Sequence, residues 1–147
     1  MSMPKYRKAS HTTYDCRYHL IWITKYRREA LNDDIQSRLK ILLKEIAKQL
    51  YVKIIRIGME EDHVHLYLSI PVAQHIPNVV RRFKGGTSKI LREEFKEHLS
   101  QFYWKKALWA VGYFIATVGE INDSIIKNYV EKQGRQEILG EDKEIEL

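Results

Sequence analysis

The chain has 147 residues, 44% of them hydrophobic and 30% charged, proportions of a single soluble domain large enough to bury its own core. One cysteine excludes an internal disulfide and a four-cysteine zinc site, and no apolar run is long enough to span a bilayer. The net charge of +6 hides an asymmetry: residues 137–147, EILGEDKEIEL, hold five acids and one lysine, a net of −4, so the other 136 residues carry +10.

A body this basic points to a polyanionic partner, nucleic acid ahead of an acidic membrane surface. The opening MSMPKYRKAS has no apolar signal-peptide segment, so the expected location is cytoplasmic, with no membrane partner. The expected organisation is one globular domain over residues 1–136 and an acidic tail over 137–147.

Residues 12–24, TTYDCRYHLIWIT, alternate in polarity. Tyr14, Cys16, Tyr18, Leu20 and Trp22 take one face; Thr13, Asp15, Arg17 and His19 open the other, which turns apolar at Ile21 and Ile23. The pattern predicts one long strand, with Cys16 a buried structural thiol. The basic cluster KYRRE closes it. Asn32 or Asp33 then caps a helix whose apolar stripe is Ile35, Leu39, Leu42, Leu43, Ile46 and Leu50. YVKIIRIGM and HVHLYLSIP read as an antiparallel hairpin through the acidic turn Glu60–Asp62, ended by Pro71.

From Ile76 the segment IPNVVRRFKGGTSKILREEFKEHL has helical periodicity, and the pair Gly85–Gly86 predicts a kink or break, with Arg81, Arg82, Lys84 and Lys89 around it. Residues 107–119, ALWAVGYFIATVG, predict a strand. Asn122 or Asp123 caps a last helix, DSIIKNYVEKQG, which Gly134 is expected to stop. The order β-α-β-β-α-β-α fits an α+β fold: a ferredoxin-like antiparallel sheet with helices on one face, its C-terminal helix carrying Tyr129.

Two stretches bear on chemistry. On a strand, residues two apart share a face with Cα atoms about 6.5–7 Å apart. His63, His65, Tyr67 and Ser69 therefore line one face, while Val64, Leu66, Leu68 and Ile70 bury the other. Two imidazoles so placed can converge on one cation; they can equally be ordinary polar residues on a wet sheet face. On the last helix Tyr129 and Gln133 stand one turn apart on a common face. A glutamine carbonyl can complete a metal's coordination, and a tyrosine beside it is placed to attack a bound group, although a half-buried core aromatic is the common fate of such a residue. Only roughly one phenol in a thousand is ionised at neutral pH, so an attacking tyrosine needs help, which a metal polarising a phosphate oxygen would give.

HVH, the downstream YVEKQ, the early YHLIWITKYRR and RRFKGGTSKIL together resemble the single-tyrosine transposases of the smallest insertion sequences, in the histidine–hydrophobe–histidine superfamily of single-strand DNA nucleases. The resemblance covers about Tyr18 to Gln133. It implies that His63 and His65 are metal ligands with Gln133 as the third, that Tyr129 is the nucleophile forming a covalent 5′-phosphotyrosine, and that the metal is Mg2+ or Mn2+. It further implies a homodimer with composite active sites, acting on single-stranded DNA at hairpin ends of an element. Val130 stands where the family pattern usually has isoleucine.

Lys25, Arg27, Arg28, Arg81, Arg82, Lys84 and Lys89 are candidates for DNA phosphates or for a solvated basic face, and His19 matches a family position near the site. Tyr103, Trp104, Trp109 and Tyr113 are candidates for stacking on bases or for core packing. Glu60, Glu61 and Asp62 offer a ligand, a partner for a ligand, or a solvated turn. Competing functions are a non-catalytic module for single-stranded nucleic acid and a replication or transfer nickase of the same superfamily.

Overall fold

The computed structural model describes residues 7–9, 12–14, 16–103, 105–117 and 123–138. Trp104 and Asn122, and the acidic tail beyond Ile138, lie outside them.

The elements are β1 Arg7–Ala9, β2 Thr12–Tyr14, β3 Arg17–Ile23, a single 3-10 turn Lys25–Arg27, α1 Asp33–Gln49, β4 Lys53–Met59, β5 His63–Ser69, α2 Ile76–Glu94, α3 Lys96–Leu99, β6 Phe114–Thr117 and α4 Asp123–Ile138. β4, β5, β3 and β6 form, in that order, a four-stranded antiparallel sheet, the strand order of a ferredoxin-like fold. β1 and β2 make a separate two-stranded ribbon.

Alternation along the strands decides the layers. Leu20 and Trp22 of β3 and Val64, Leu66 and Leu68 of β5 turn to one face, where α1 and α2 cover them. The predicted stripe of α1 is buried throughout, and Asn32 caps the helix by accepting the Ile35 N–H at 2.9 Å. The other face of β3 buries Ile23 against Ala110 and Val130, so α4 docks opposite the α1–α2 layer. This is why the second face of that strand becomes apolar at its end.

Several expectations change. Residues 12–24 hold two strands, because β2 pairs with β1 while β3 pairs with β5 and β6. Polarity alternation is the same whichever partner a strand takes, so it does not register the exchange. Cys16, just before β3, is half-buried instead of buried. Gly85 and Gly86 do not interrupt α2, which runs unbroken from Ile76 to Glu94. A Cβ on Gly86 would come within 2.9 Å of Ile46 Cδ1, so this glycine serves the close approach of α1 and α2. Gly134 likewise does not stop α4, which continues to Ile138. Finally, among the described residues 107–117 only Phe114–Thr117 is strand, and residues 118 and 119 of the predicted run lie outside the described residues. Trp109 makes a single bridge to Thr24, and Gly112 turns the chain at φ +94°. The run is apolar because Leu108, Trp109 and Ala110 are buried, not because it lies in a ladder.

Candidate active site

His63 and His65 project, as their spacing requires, from the face of β5 opposite the α1–α2 layer. Register places Ile23 beside His63, Ile21 beside His65 and His19 beside Tyr67. Opposite His65 on the other side stands Gly58, whose missing side chain leaves room there. The result is a concavity of about 340 Å³ walled by Arg27, Gly58, Met59, Glu60, Asp62, His63, His65, Ile126, Lys127 and Val130.

Asp62 organises this pocket. Its Oδ1 accepts from His63 Nδ1 at 2.8 Å, and its Oδ2 accepts from Arg27 Nε at 3.0 Å. Burial works against the ionised carboxyl, yet the hydrogen bonds from His63 and Arg27 outweigh it and hold Asp62 below its ordinary value. An ionised carboxylate only accepts, so His63 carries a proton on Nδ1, which leaves Nε2 as the ring nitrogen through which it would bind a ligand. A carboxylate behind an imidazole is the usual way a protein orients a metal-binding histidine.

His65 turns Nε2 to His19 Nδ1 at 3.1 Å, and His19 stacks on Tyr67 with ring centroids 4.6 Å apart. Burial lowers the His19 imidazole below the ordinary histidine value, and the charge of Arg56 pushes the same way. A cation at the histidine pair would take His65 through Nδ1 or displace His19.

The 3-10 turn that delivers Arg27 is fastened at both sides. Thr24 N–H donates to Asp62 O at 2.9 Å and Lys25 N–H to Leu108 O at 2.8 Å. Inside it Tyr26 and Arg27 adopt left-handed backbone, φ +57° and +53°, rare for side chains of this size. Arg27 then crosses α4 at Gly134, where a Cβ would lie 2.5 Å from Arg27 Cδ and 3.2 Å from its Cβ. The glycine is there to let the arginine pass.

α4 presents Ile126, Lys127 and Val130 to the pocket. Tyr129 and Gln133 do share a face, but that face turns to other neighbours. The Tyr129 ring packs on Phe114, centroids 5.7 Å apart, and Gln133 Nε2 donates to Val111 O at 2.9 Å. Gln133 is 4% exposed, and its Oε1 is buried with no hydrogen-bond partner among the described residues. A buried carbonyl oxygen left so is costly unless something accepts its lone pairs. No group of three His, Cys, Asp or Glu side chains among the described residues makes a metal cage by itself. Two imidazoles, one backed by a carboxylate, and an amide oxygen nevertheless fit a divalent cation by donor type.

The basic residues scatter. Arg27 reaches the pocket, with Lys25 and Arg28 beside it in sequence; Arg28 donates to Phe102 O. Arg82 donates to Gln49 Oε1 at 2.6 Å and Arg81 to Asn78 Oδ1, both on the α1–α2 side. Lys84 Nζ is engaged by the carbonyls of Ala110, 2.7 Å, and Gly112, 2.8 Å. Lys89 lines a second concavity, about 660 Å³, with Arg92, Lys96, Lys105 and Lys106. Trp109 is core, its Nε1 donating to Thr87 Oγ1 at 3.0 Å. Two participants had no clear sequence signal: Gly134, which reads as a helix stop, and Tyr26, which an aromatic among three cations could have flagged.

The sheet thus carries the histidine pair on the face where the tyrosine-bearing helix α4 packs. The family model described as Transposase IS200 like matches residues 12–133, and the chain belongs to that family. It is 34% identical over 131 residues to the ISDra2 transposase TnpA of Deinococcus radiodurans, covering 89% of this chain and 93% of the relative. To the transposase for insertion sequence element IS200 of Salmonella typhimurium it is 29% identical over 135 residues, covering 92% and 88%. A crystal structure of a candidate transposase from D. radiodurans R1 superposes with TM-score 0.79 at 35% identity, over 86% of this chain and 97% of that one. A REP-associated tyrosine transposase, solved bound to a REP hairpin, shares the fold at TM-score 0.55 and 14% identity, over 88% and 69%. This protein is thus an enzyme, a transposase working through a tyrosine nucleophile.

Proposed function

We propose that the protein cleaves and rejoins single-stranded DNA at the ends of an insertion element, with Tyr129 as nucleophile. The Tyr129 oxygen attacks the scissile phosphorus, and the proton it gives up is matched by the one that the departing O3′ takes up. The bond from phosphorus to O3′ breaks, leaving a 3′-hydroxyl and a 5′-phosphotyrosine that conserves the bond for rejoining. His63, His65 and Gln133 would hold Mg2+ or Mn2+, which supplies Lewis-acid stabilisation of the charge on the phosphate. Asp62 keeps His63 in the ligand tautomer, Arg27 keeps Asp62 ionised, and Lys127 adds a positive charge to the pocket wall. The ends are recognised as hairpins, through the basic body.

The observation that carries this reading is the orphaned Gln133 Oε1 one helical turn from Tyr129, in a family member with a carboxylate-backed histidine pair. The active form is a homodimer with composite sites. In support, each chain's own α4 offers Ile126, Lys127 and Val130 to its histidines and turns Tyr129 to Phe114, so the tyrosine serves the partner's histidines.

The test uses labelled single-stranded DNA carrying hairpin-flanked ends, with Mn2+ or Mg2+. Wild type should yield a denaturation-resistant adduct and Tyr129→Phe none; an adduct on the phenylalanine variant refutes the nucleophile. Mixing Tyr129→Phe with His63→Ala subunits should restore adduct, because one site of the mixed dimer then has both parts. A mixture as inactive as its components means the tyrosine acts within its own chain.

A further inference from the structure

The second concavity is strongly basic. Lys89, Arg92 and Lys96 are spaced along one stripe of α2 and α3, and Lys105 and Lys106 face them across about 660 Å³, with Glu93 the one acid among the walls. None of Lys89, Lys96, Lys105 and Lys106 makes an ion pair among the described residues. Keeping that much like charge in one hollow is repulsive unless a polyanion enters it. Tyr103 lines the hollow and donates to Lys25 O at 2.8 Å, which ties it to the 3-10 turn.

That turn touches both concavities, Arg27 lining the histidine pocket and Lys25 O accepting from Tyr103 of the hollow. Within it Tyr26 is 40% exposed and set in left-handed backbone at φ +57°. Lys25 Nζ lies 5.0 Å and Arg28 Cζ 5.2 Å from its ring centre, while the same Arg28 lies 5.7 Å from the ring of Tyr103. Arg27, the next residue, is in the wall of the histidine pocket. Left-handed backbone thus holds a partly exposed aromatic ring beside two cations, one residue from the wall of the histidine pocket.

We propose that the lysine hollow and Tyr26 form a second subsite for single-stranded DNA, the hollow taking backbone phosphates and Tyr26 stacking on an unpaired base as the strand passes to the histidine pocket. The inference rests on the transposase reading and assigns where the strand runs beyond the scissile phosphate.

Binding of a labelled oligothymidine, and of a duplex of equal length, to the full chain tests it by anisotropy. Tyr26→Leu should weaken the single strand roughly tenfold and leave the duplex unchanged, while Tyr26→Phe keeps wild-type affinity for both. Lys105→Ala with Lys106→Ala should weaken both DNAs and flatten the log–log salt dependence for the single strand by about 1.4, roughly 0.7 for each phosphate that is no longer neutralised. Unchanged melting temperatures keep the comparison free of folding effects. Wild-type affinity and salt slope in these variants overturn the subsite while adduct formation at Tyr129 still stands. Equal loss on duplex and single strand in Tyr26→Leu overturns the stacking role. A wild-type protein that binds no single strand defeats the functional reading itself.

Discussion

Gly134→Ala reads out the contact by which the tyrosine helix meets the histidine pocket. The added Cβ would sit 2.5 Å from Arg27 Cδ, 3.2 Å from its Cβ and 3.3 Å from its Cγ. The whole stem is in the way, and Arg27 cannot swing aside while its Nε holds Asp62 at 3.0 Å from a left-handed backbone. In a helix interior, alanine for glycine gains about 1 kcal/mol, and overpacking costs about 1–3 kcal/mol, so global stability should fall by no more than about 2 kcal/mol. Losing the Arg27–Asp62 bond costs about 1 kcal/mol or less, because Arg27 is 38% exposed and screened by solvent. Function should suffer more. Releasing Asp62 frees the His63 ring, and loss of such an orienting partner typically costs about 10–100-fold in metal affinity or activity. Calorimetric titration with Mn2+ and adduct yield measure this, and thermal melting measures the stability. Arg27→Ala removes the Cγ and Cδ contacts and leaves only its Cβ at 3.2 Å, so in that background the Gly134→Ala penalty should largely disappear, with a gain that stays below the roughly 1 kcal/mol of an unobstructed helix site. If Gly134→Ala stabilises the wild-type chain by that amount and leaves Mn2+ affinity intact, the packing constraint is absent and the reasoning fails.

Gly85 and Gly86 should behave differently although they are adjacent. Gly85→Ala meets no atom within 4 Å and should add about 1 kcal/mol to unfolding stability, whereas the Gly86→Ala gain should be largely cancelled against Ile46; equal shifts in thermal melting would mean that the helices are not in contact there. Asn32→Ala should cost about 1 kcal/mol through the lost cap of α1, measured by urea unfolding. Glu94 is held below the ordinary carboxylate value by its hydrogen bonds from Arg38, so its contribution is present above that value and disappears as pH falls through the lowered one. Glu94→Gln should therefore lower the melting temperature slightly at neutral pH and not at all in acid; a difference that grows in acid contradicts the pairing.

The sequence by itself carried what depends on periodicity and on chemistry local to one element. Alternation separates His63 and His65 from Val64, Leu66 and Leu68, the stripe from Ile35 to Leu50 requires a partner layer, and Tyr129 and Gln133 share a helix face by spacing alone. The acidic turn before the histidines was visible too, but not that Asp62 alone would hold both His63 and Arg27. Breaks were legible only where the chain itself is the cause. Gly86 and Gly134 look like helix stops because their local propensity is poor, yet each marks a side chain from elsewhere, Ile46 or Arg27, that needs the space. The change of strand partner near residue 15, the irregular path of residues 107–113 and the exposure of Tyr26 are likewise set by contacts far along the chain. Tertiary packing decided them because a short-range pattern records which faces are apolar, and only the folded chain determines what each face meets.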